Sequence, residues 1–238
     1  MTVPGETHVI PRRGWRIHSG RSLAAAAVCW AGFGLLVWLV TTGRSGSFDS
    51  LGLLFWRGAD LRPVGPELLL EMVRDVTSLG GVLLRNLIAI GAAVALLFLR
   101  LKREAVLLVL TIVLAWGVEF AIKLTVGRPR PEIVPHLTEA GGASFPSGHS
   151  FNSAVVFIAV ALAFATLSTR QSVRVTIVGS AILLSLVVAW SRVWLGVHFP
   201  SDVIAGWLGG AGWAFLATAL LHRPAKDMAR QAPDSPAR

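Results

Sequence analysis

The sequence predicts an all-α, polytopic membrane protein with six transmembrane helices, and three observations carry this prediction. Of the 238 residues, 54% are hydrophobic and only 15% are charged, an apolar balance that soluble domains of this length do not have. The apolar residues form six stretches of about 20 residues, the length that crosses a bilayer. The cations favour alternate connections between these stretches, as the positive-inside rule describes.

The six stretches share low charge and polar flanks. They cover residues 23–42, 82–99, 105–123, 151–169, 174–191 and 203–221. The first does not resemble a cleaved secretory signal, because it is long, lacks an A-x-A cleavage site and precedes five more. The single cysteine, Cys29, lies inside it, so no disulfide framework or cysteine metal site is expected.

The distribution of Lys and Arg predicts the orientation. One set of connections and both termini hold 13 of these residues, and the opposite set holds 8. Segments rich in Lys and Arg stay in the cytoplasm. We therefore expect both termini to be cytoplasmic and the connections 43–79, 124–150 and 192–202 to face outward. The net charge of +9 is assigned to this topology and not to nucleic-acid binding, because no soluble basic domain carries it.

The chain divides into three regions. Residues 1–20 are expected to form a basic cytoplasmic segment, 21–221 the six-span membrane domain, and 222–238 a disordered cytoplasmic tail. Within the long outer connection, residues 66–81 have the apolar spacing of an amphipathic helix. This segment is expected either to lie on the membrane surface or to extend the second span toward its N-terminus.

Charged and polar residues gather in three short motifs at the predicted outer ends of the spans. The first is KLTVGRPRP at 123–131, the second PSGH at 146–149 and the third SRVWLGVHFPSD at 191–202. Ionisable groups at such positions are costly and are usually functional. Six helices of similar length would bring these motifs into one pocket.

The residue types in these motifs suit a dense anion. Lys123, Arg130 and Arg192 are cations, and guanidinium groups match the oxygens of phosphate. Ser147 and Gly148 stand where a helix begins, and a helix N-terminus presents free N–H groups and partial positive charge. The pattern therefore favours a phosphate site.

Two histidines add reactivity to this site. His149 and His198 have no neighbouring cysteine, second histidine or carboxylate cluster that would suggest a metal. Asp202 follows His198 by four residues, so within one helical turn it would hold the far ring nitrogen. His198 then has the setting of a nucleophile or base, and His149 that of a general acid.

Simpler readings remain open for each residue taken alone. Ser147 or Ser150 would cap the fourth span, and Asp202 would cap the sixth. Lys123 and Arg130 would reach lipid headgroups from the interface. Capping does not exclude ligand binding.

Together the motifs resemble the signature of the type 2 phosphatidic acid phosphatase family, whose active site is shared with vanadium haloperoxidases. The signature reads K-x6-R-P, P-S-G-H and S-R-x5-H-x3-D. The chain matches every position in order, from Lys123 and Arg130-Pro131, through Pro146 to His149, to Ser191-Arg192, His198 and Asp202. The resemblance implies a helical-bundle catalytic core at about residues 105–221.

The resemblance also implies a role for each residue. His198 would attack phosphorus and form a phosphohistidine. Asp202 would orient His198 and stabilise its positive charge. His149 would protonate the leaving oxygen and then activate water. The phosphoryl oxygens would be held by Lys123, Arg130, Ser147, Gly148 and Arg192. The family needs no metal, and no cofactor is expected.

Glu119 lies four residues before Lys123 in the same predicted helix, so the two share a face. We expect Glu119 to pair with Lys123 and to fix it toward the phosphate. The alternative is another partner inside the bundle, such as Arg85.

The expected function is hydrolysis of a lipid phosphate monoester or diphosphate at the outer face of a bacterial inner membrane. Phosphatidic acid, phosphatidylglycerol phosphate and polyprenyl diphosphate are the candidate substrates, and membrane lipids are the expected partners. Transfer of the phosphoryl group to an acceptor lipid is the alternative. A haloperoxidase is disfavoured because the family's haloperoxidases are soluble, and a non-catalytic scaffold or transporter is disfavoured because the signature is intact.

Overall fold

The computed structural model describes residues 19–221, which form eight α-helices and no β-strand. The all-α prediction is confirmed. The helices are α1 Ser19–Thr41, α2 Gly46–Leu54, α3 Glu67–Leu79, α4 Val82–Phe98, α5 Lys102–Val126, α6 Gly148–Ala165, α7 Gln171–Trp194 and α8 Pro200–Leu221. The predicted tail 222–238 and most of the predicted basic segment 1–20 lie outside the described residues.

Five of these helices, α1, α5, α6, α7 and α8, are long and apolar enough to cross a membrane. A sixth span is reached when α3 and α4 are counted as one pair, bent by 47°. The 17 residues of α4 occupy nearly the whole of the predicted second span. The chain is therefore a multi-pass membrane protein, with five to six candidate spans within residues 19–221.

The segment 66–81 is neither a helix lying wholly on the membrane surface nor a straight N-terminal extension of the second span. It forms the separate helix α3, which is broken from α4 at Gly80 and Gly81. Its Val73 is buried against Trp194 and Leu195 at the end of α7. The apolar face of α3 is thus packed partly on protein and covers the end of the bundle where the sequence motifs lie.

Helix α6 forms the centre of the bundle, with 72% of its spanning window buried. It packs against α4, α5, α7 and α8, and glycines on α8 allow a close approach. A Cβ at Gly206 would lie 2.7 Å from the Ser147 carbonyl oxygen. Because Ser147 immediately precedes α6 and Gly206 lies in the second turn of α8, this contact holds the N-terminus of α6 against α8.

Candidate active site

The three sequence motifs meet at one end of the bundle. The left-handed Gly127, with φ of 58°, ends α5 and turns the chain toward Arg130. The Arg130 Nη1 donates to the Val197 carbonyl at 2.7 Å in the turn between α7 and α8. The Ser147 N–H donates to the Asp202 carbonyl at 3.0 Å. The pocket predicted from the motifs is therefore assembled by backbone and side-chain hydrogen bonds.

His198 is buried in this turn, with 2% of the residue exposed. Its Nε2 lies 3.1 Å from Arg130 Nη1, and its Nδ1 lies 3.2 Å from Ser144 Oγ. Burial lowers the pKa of His198 to about 4, an effect that the nearby Arg130 strengthens and Asp202 opposes. The imidazole is therefore neutral at physiological pH and keeps a lone pair for nucleophilic attack.

Asp202 does not hold His198 directly, which corrects the contact expected from their spacing. Its Oδ2 lies 3.7 Å from His198 Nδ1, beyond hydrogen-bond range. Ser144 fills the gap, because its hydroxyl donates to the same Oδ2 at 2.5 Å. Ser144 Oγ is then free to accept from Nδ1–H, so this tautomer leaves the Nε2 lone pair directed at Arg130.

Arg128 pairs with the Asp202 carboxylate, although it belongs to no signature position. One of its nitrogens lies 2.6 Å from Asp202 Oδ1, and the other lies 2.7 Å from Asp49 Oδ2 on α2. Asp49 also accepts from the Ser201 N–H at 2.9 Å. The start of α8 is thereby tied to a helix of the outer connection through two buried carboxylates.

The N-terminus of α6 presents unpartnered donors. Ser147 is fully buried, and its hydroxyl neither caps the helix nor has another partner. The Ser150 hydroxyl is also buried without a partner, so neither serine uses its side chain as the expected cap. Asp202 does accept from the Phe199 N–H at 3.0 Å, so it stabilises the start of α8 as well.

Lys123 and Glu119 form the expected i,i+4 pair, with 3.4 Å between Nζ and Oε1. Lys123 Nζ also donates to the Ala143 carbonyl at 3.0 Å and so turns into the protein instead of toward headgroups. A Cβ at Gly148 would lie 3.0 Å from Glu119 Oε1, so glycine lets α5 reach the start of α6. Whether Glu119 supports phosphate binding stays a prediction.

The two arginines of the signature approach the site from opposite segments. Arg130 donates to the Gly141 and Gly142 carbonyls at 2.7 and 3.2 Å, and burial lowers its pKa although Asp202 opposes this. Arg192, 2% exposed, donates to Thr77 Oγ1 on α3 at 2.9 Å. Its Nε is buried without a partner, which leaves a donor for a ligand.

His149 is half-buried in the first turn of α6, beneath the break between α3 and α4. A Cβ at Gly80 would lie 3.3 Å from its ring carbon Cδ2. His149 is also within electrostatic range of His198, Arg192 and Arg130. The structure therefore brings both predicted histidines into one cationic pocket.

Sequence reasoning missed several residues that complete this pocket, because no short motif contains them. Ser144 precedes the second motif, Arg128 lies inside the first without a signature role, and the outer connection supplies Asp49 and Thr77. The one available signal for Asp49 was a carboxylate within the otherwise uncharged stretch SFDSLGLLFW at 47–56.

The arrangement suits nucleophilic transfer of a phosphoryl group. It combines a buried neutral imidazole with three cations and a helix N-terminus, all gathered at one end of the bundle. Such preorganised charges stabilise the equatorial oxygens of a five-coordinate phosphorus. Residues 19–221 hold no group of three or more His, Cys, Asp or Glu side chains placed to bind a metal ion.

Comparison with known proteins identifies a family and several relatives of the chain. A family model described as the PAP2 superfamily matches residues 104–225. The chain is 36% identical to lipid A 1-phosphatase of Rhizobium etli over 122 residues, which is 48% of this chain and 48% of that protein. It is 32% identical to phosphatidylglycerophosphatase B of Bacillus subtilis over 152 residues, which is 61% of this chain and 72% of that protein. The chain thus spans about half the length of the lipid A 1-phosphatase and 72% of the length of the phosphatidylglycerophosphatase.

The fold is also similar to a solved structure. The crystal structure of a transmembrane PAP2-type phosphatidylglycerolphosphate phosphatase from Bacillus subtilis superposes with a TM-score of 0.72 and 24% identity. The match covers 88% of this chain and 98% of that one. At this identity the likeness establishes the fold alone.

Proposed function

Because the chain belongs to the PAP2 superfamily, we propose that it is an integral membrane phosphatase that hydrolyses lipid phosphates through a phosphohistidine. The observation that carries this proposal is the setting of His198. Its ring is buried, neutral and bonded through Nδ1 toward Asp202, while Nε2 faces the cationic pocket.

In the first step the His198 Nε2 attacks phosphorus as the bond to the leaving oxygen breaks. The electron pair of that bond remains on the leaving oxygen, and His149 supplies its proton. The positive charge that develops on His198 is balanced by Asp202 through Ser144. Arg130 releases Nε2 during the attack and turns its donors to the phosphoryl oxygens.

In the second step water attacks the phosphohistidine, and the phosphorus–nitrogen bond breaks in favour of His198. His149, now neutral, takes the proton of the water. Lys123, Arg130 and Arg192 hold the phosphoryl oxygens, together with the Ser147 hydroxyl and the amide of Gly148. No metal is assigned to either step.

A lipid substrate is supported by the surroundings of the pocket. An apolar groove of about 350 Å³ runs between α4 and α5. It is headed by Asn86 and Trp116, which lie close in sequence to Arg85 and Glu119 of the pocket. A substrate tail in this groove would lie between α4, which carries Arg85, and α5, which carries Lys123. Phosphatidic acid, phosphatidylglycerol phosphate and polyprenyl diphosphate all have such a tail.

The proposed orientation places both termini in the cytoplasm and the site on the outer face, as the bias in Lys and Arg supports. Single cysteines introduced into the 43–79 connection of a Cys29→Ser chain test it. A membrane-impermeant thiol reagent should label them in intact cells. Labelling only after lysis would contradict the orientation.

The function itself is tested with the purified full chain and the three lipids in the presence of EDTA. We expect phosphate release from at least one lipid, inhibition by vanadate, and an acid-labile phosphoprotein that His198→Ala cannot form. His136→Ala is the matched control, because this histidine bonds to the Pro131 carbonyl and lies outside the pocket chemistry.

Three results would overturn parts of this proposal. Absence of phosphate release from every lipid would remove the phosphatase function. Activity lost in EDTA and restored by Mg²⁺ would contradict a metal-independent mechanism. Capture of the phosphate by an added acceptor lipid in preference to water would identify a phosphotransferase with the same intermediate.

A further inference from the structure

Arg85 is a buried cation near the start of α4 that none of the three motifs contains. Only 6% of the residue is exposed, and its Nη1 donates to the Gly80 carbonyl at 3.3 Å. Its Nε is buried without a hydrogen-bond partner. A guanidinium group in a helix bundle is costly unless an anion meets it. Glu119 interacts with it electrostatically, but that carboxylate already pairs with Lys123.

Arg85 lies on the His149 side of the pocket. The Gly80 carbonyl accepts from Arg85, and a Cβ on Gly80 would lie 3.3 Å from the His149 ring. Arg85 is also one of the charges that act on His149. The break between α3 and α4 therefore brings Arg85 and His149 to the same wall.

The geometry of an in-line displacement predicts which part of the substrate lies against this wall. The attacking and leaving atoms stand on opposite sides of the phosphorus. If His198 attacks and His149 protonates the leaving oxygen, the leaving group lies beside His149. Any further charge on that leaving group would then face Arg85.

We propose that Arg85 binds a second phosphate carried by the leaving group. The preferred substrate is then a lipid phosphate whose leaving group is itself anionic, with a prenyl diphosphate as the simplest case. This inference rests on the proposed phosphohistidine mechanism. His198 Nε2 bonds to the terminal phosphorus, the bond to the bridging oxygen breaks, and that oxygen keeps the electron pair. The lipid monophosphate, with a proton from His149, is released next to Arg85.

The charges of the pocket agree with such a substrate. Arg128 lies between Asp49 and Asp202 and balances one of their two negative charges, and the charge of Asp202 also acts on Arg130. The facing cations are Lys123, Arg85, Arg130 and Arg192, whereas the one paired carboxylate among them is Glu119. Together with Arg128, Asp49 and Asp202, cations outnumber carboxylates around the site, which favours a substrate that carries more than one anionic group.

The test compares matched substrates on Arg85→Gln. Farnesyl diphosphate and farnesyl phosphate share one tail, and phosphatidylglycerol phosphate and phosphatidic acid form a second pair. We expect kcat/KM for farnesyl diphosphate to fall about 10- to 100-fold, the effect of one lost charged hydrogen bond. For farnesyl phosphate the change should stay within about threefold. Arg85→Lys should recover part of the loss, because it keeps the charge but not the paired N–H groups of the guanidinium.

Inhibition of farnesyl phosphate hydrolysis by inorganic anions gives a second readout, in which the competing ligand has no lipid tail. Arg85→Gln should weaken inhibition by pyrophosphate more than inhibition by phosphate. The matched control is Arg74→Gln on α3, since Arg74 is an exposed arginine bonded to the Leu137 carbonyl. Arg74→Gln should leave the kcat/KM ratio within each of the two substrate pairs unchanged.

The outcomes separate this inference from the function on which it rests. A wild-type chain that releases phosphate from none of the four lipids contradicts the phosphatase function itself. An active wild type whose Arg85→Gln variant loses the same factor on both members of each pair overturns the role of Arg85. A selective loss on both pairs supports any anionic leaving group, and a loss confined to the farnesyl pair supports a diphosphate.

Discussion

The Asp202 carboxylate reaches His198 through the hydroxyl of Ser144 and not by direct contact. Asp202 Oδ2 and His198 Nδ1 are 3.7 Å apart, whereas Ser144 Oγ lies 2.5 Å from the first and 3.2 Å from the second. The hydroxyl therefore sets both the tautomer and the direction of the imidazole.

Removal of this hydroxyl should slow the reaction. Hydrogen bonds to charged groups contribute about 1.5–3 kcal/mol, so we expect Ser144→Ala to lower kcat about 10- to 100-fold. KM should change less, because Ser144 does not face the substrate. The control is Ser153→Ala, which removes an equally buried hydroxyl bonded to Ser150. Equal rates for wild type and Ser144→Ala would exclude the relay.

Arg128 should be required for stability as well as for activity. Arg128→Gln leaves Asp49 and Asp202, which are 1% and 0% exposed, without their shared cation. Breaking a buried ion pair in this way costs about 3–5 kcal/mol. Thermal unfolding in detergent, followed by tryptophan fluorescence, should show a clear drop in Tm. Arg62→Gln on the exposed loop should not, and an unchanged Tm for Arg128→Gln would argue against the cluster.

Glu119 is expected to act through Lys123. Glu119→Gln removes the carboxylate at 3.4 Å and frees the ammonium group from its position. We expect kcat/KM to fall by about fivefold or more, on the order of a partly buried pair. A double-mutant cycle with Lys123→Gln measures the coupling. The double variant should be no worse than Lys123→Gln alone, and additive losses would show that Glu119 acts elsewhere.

The pH dependence of kcat/KM should reflect the low pKa of His198. With a pKa of about 4, the ring stays neutral from physiological pH down to that value, and activity is lost only when protonation removes the nucleophilic lone pair. Because the charge of Arg130 lowers this pKa, Arg130→Gln should raise it and move the acidic limb to higher pH. Comparison with wild type on one substrate cancels the ionisation of the substrate. A limb that stays in place would contradict the assignment.

The approach of α6 to α8 should tolerate no added methyl group. A Cβ at Gly206 would stand 2.7 Å from the Ser147 carbonyl oxygen, so Gly206→Ala must displace the start of α6, where we propose that phosphate binds. Overpacking of this kind costs about 1–3 kcal/mol, and we expect loss of Tm and of activity. Gly117→Ala is the control, because its Cβ meets nothing within 4 Å. Its phosphate release should equal that of wild type.

The sequence predicts those parts of the site that depend on local spacing. Glu119 and Lys123 lie four apart within the unbroken α5, so their contact follows from helix geometry. His198 and Asp202 have the same spacing, but α8 begins at Pro200, so His198 lies outside the helix and its Nδ1 stays 3.7 Å from the Asp202 carboxylate. That difference makes room for Ser144.

Local spacing in the sequence does not predict contacts between distant segments. Asp49 and Arg128 are 79 residues apart, and Thr77 and Arg192 are 115 apart. Nothing in a local pattern encodes these pairs. The nine residues of α2 are also too few and too mixed in polarity to stand out as a helix.

The pairing of Asp49 with Arg128 has a consequence for how the chain can be divided. The family match begins at residue 104, and every residue of the signature lies beyond that point. Yet Asp202 shares the cation Arg128 with Asp49 of α2, and Arg192 donates to Thr77 of α3. The segment 104–225 therefore does not contain all the contacts of the candidate site. Grafting it onto another membrane anchor would remove the α2 carboxylate and the α3 hydroxyl that position Arg128 and Arg192.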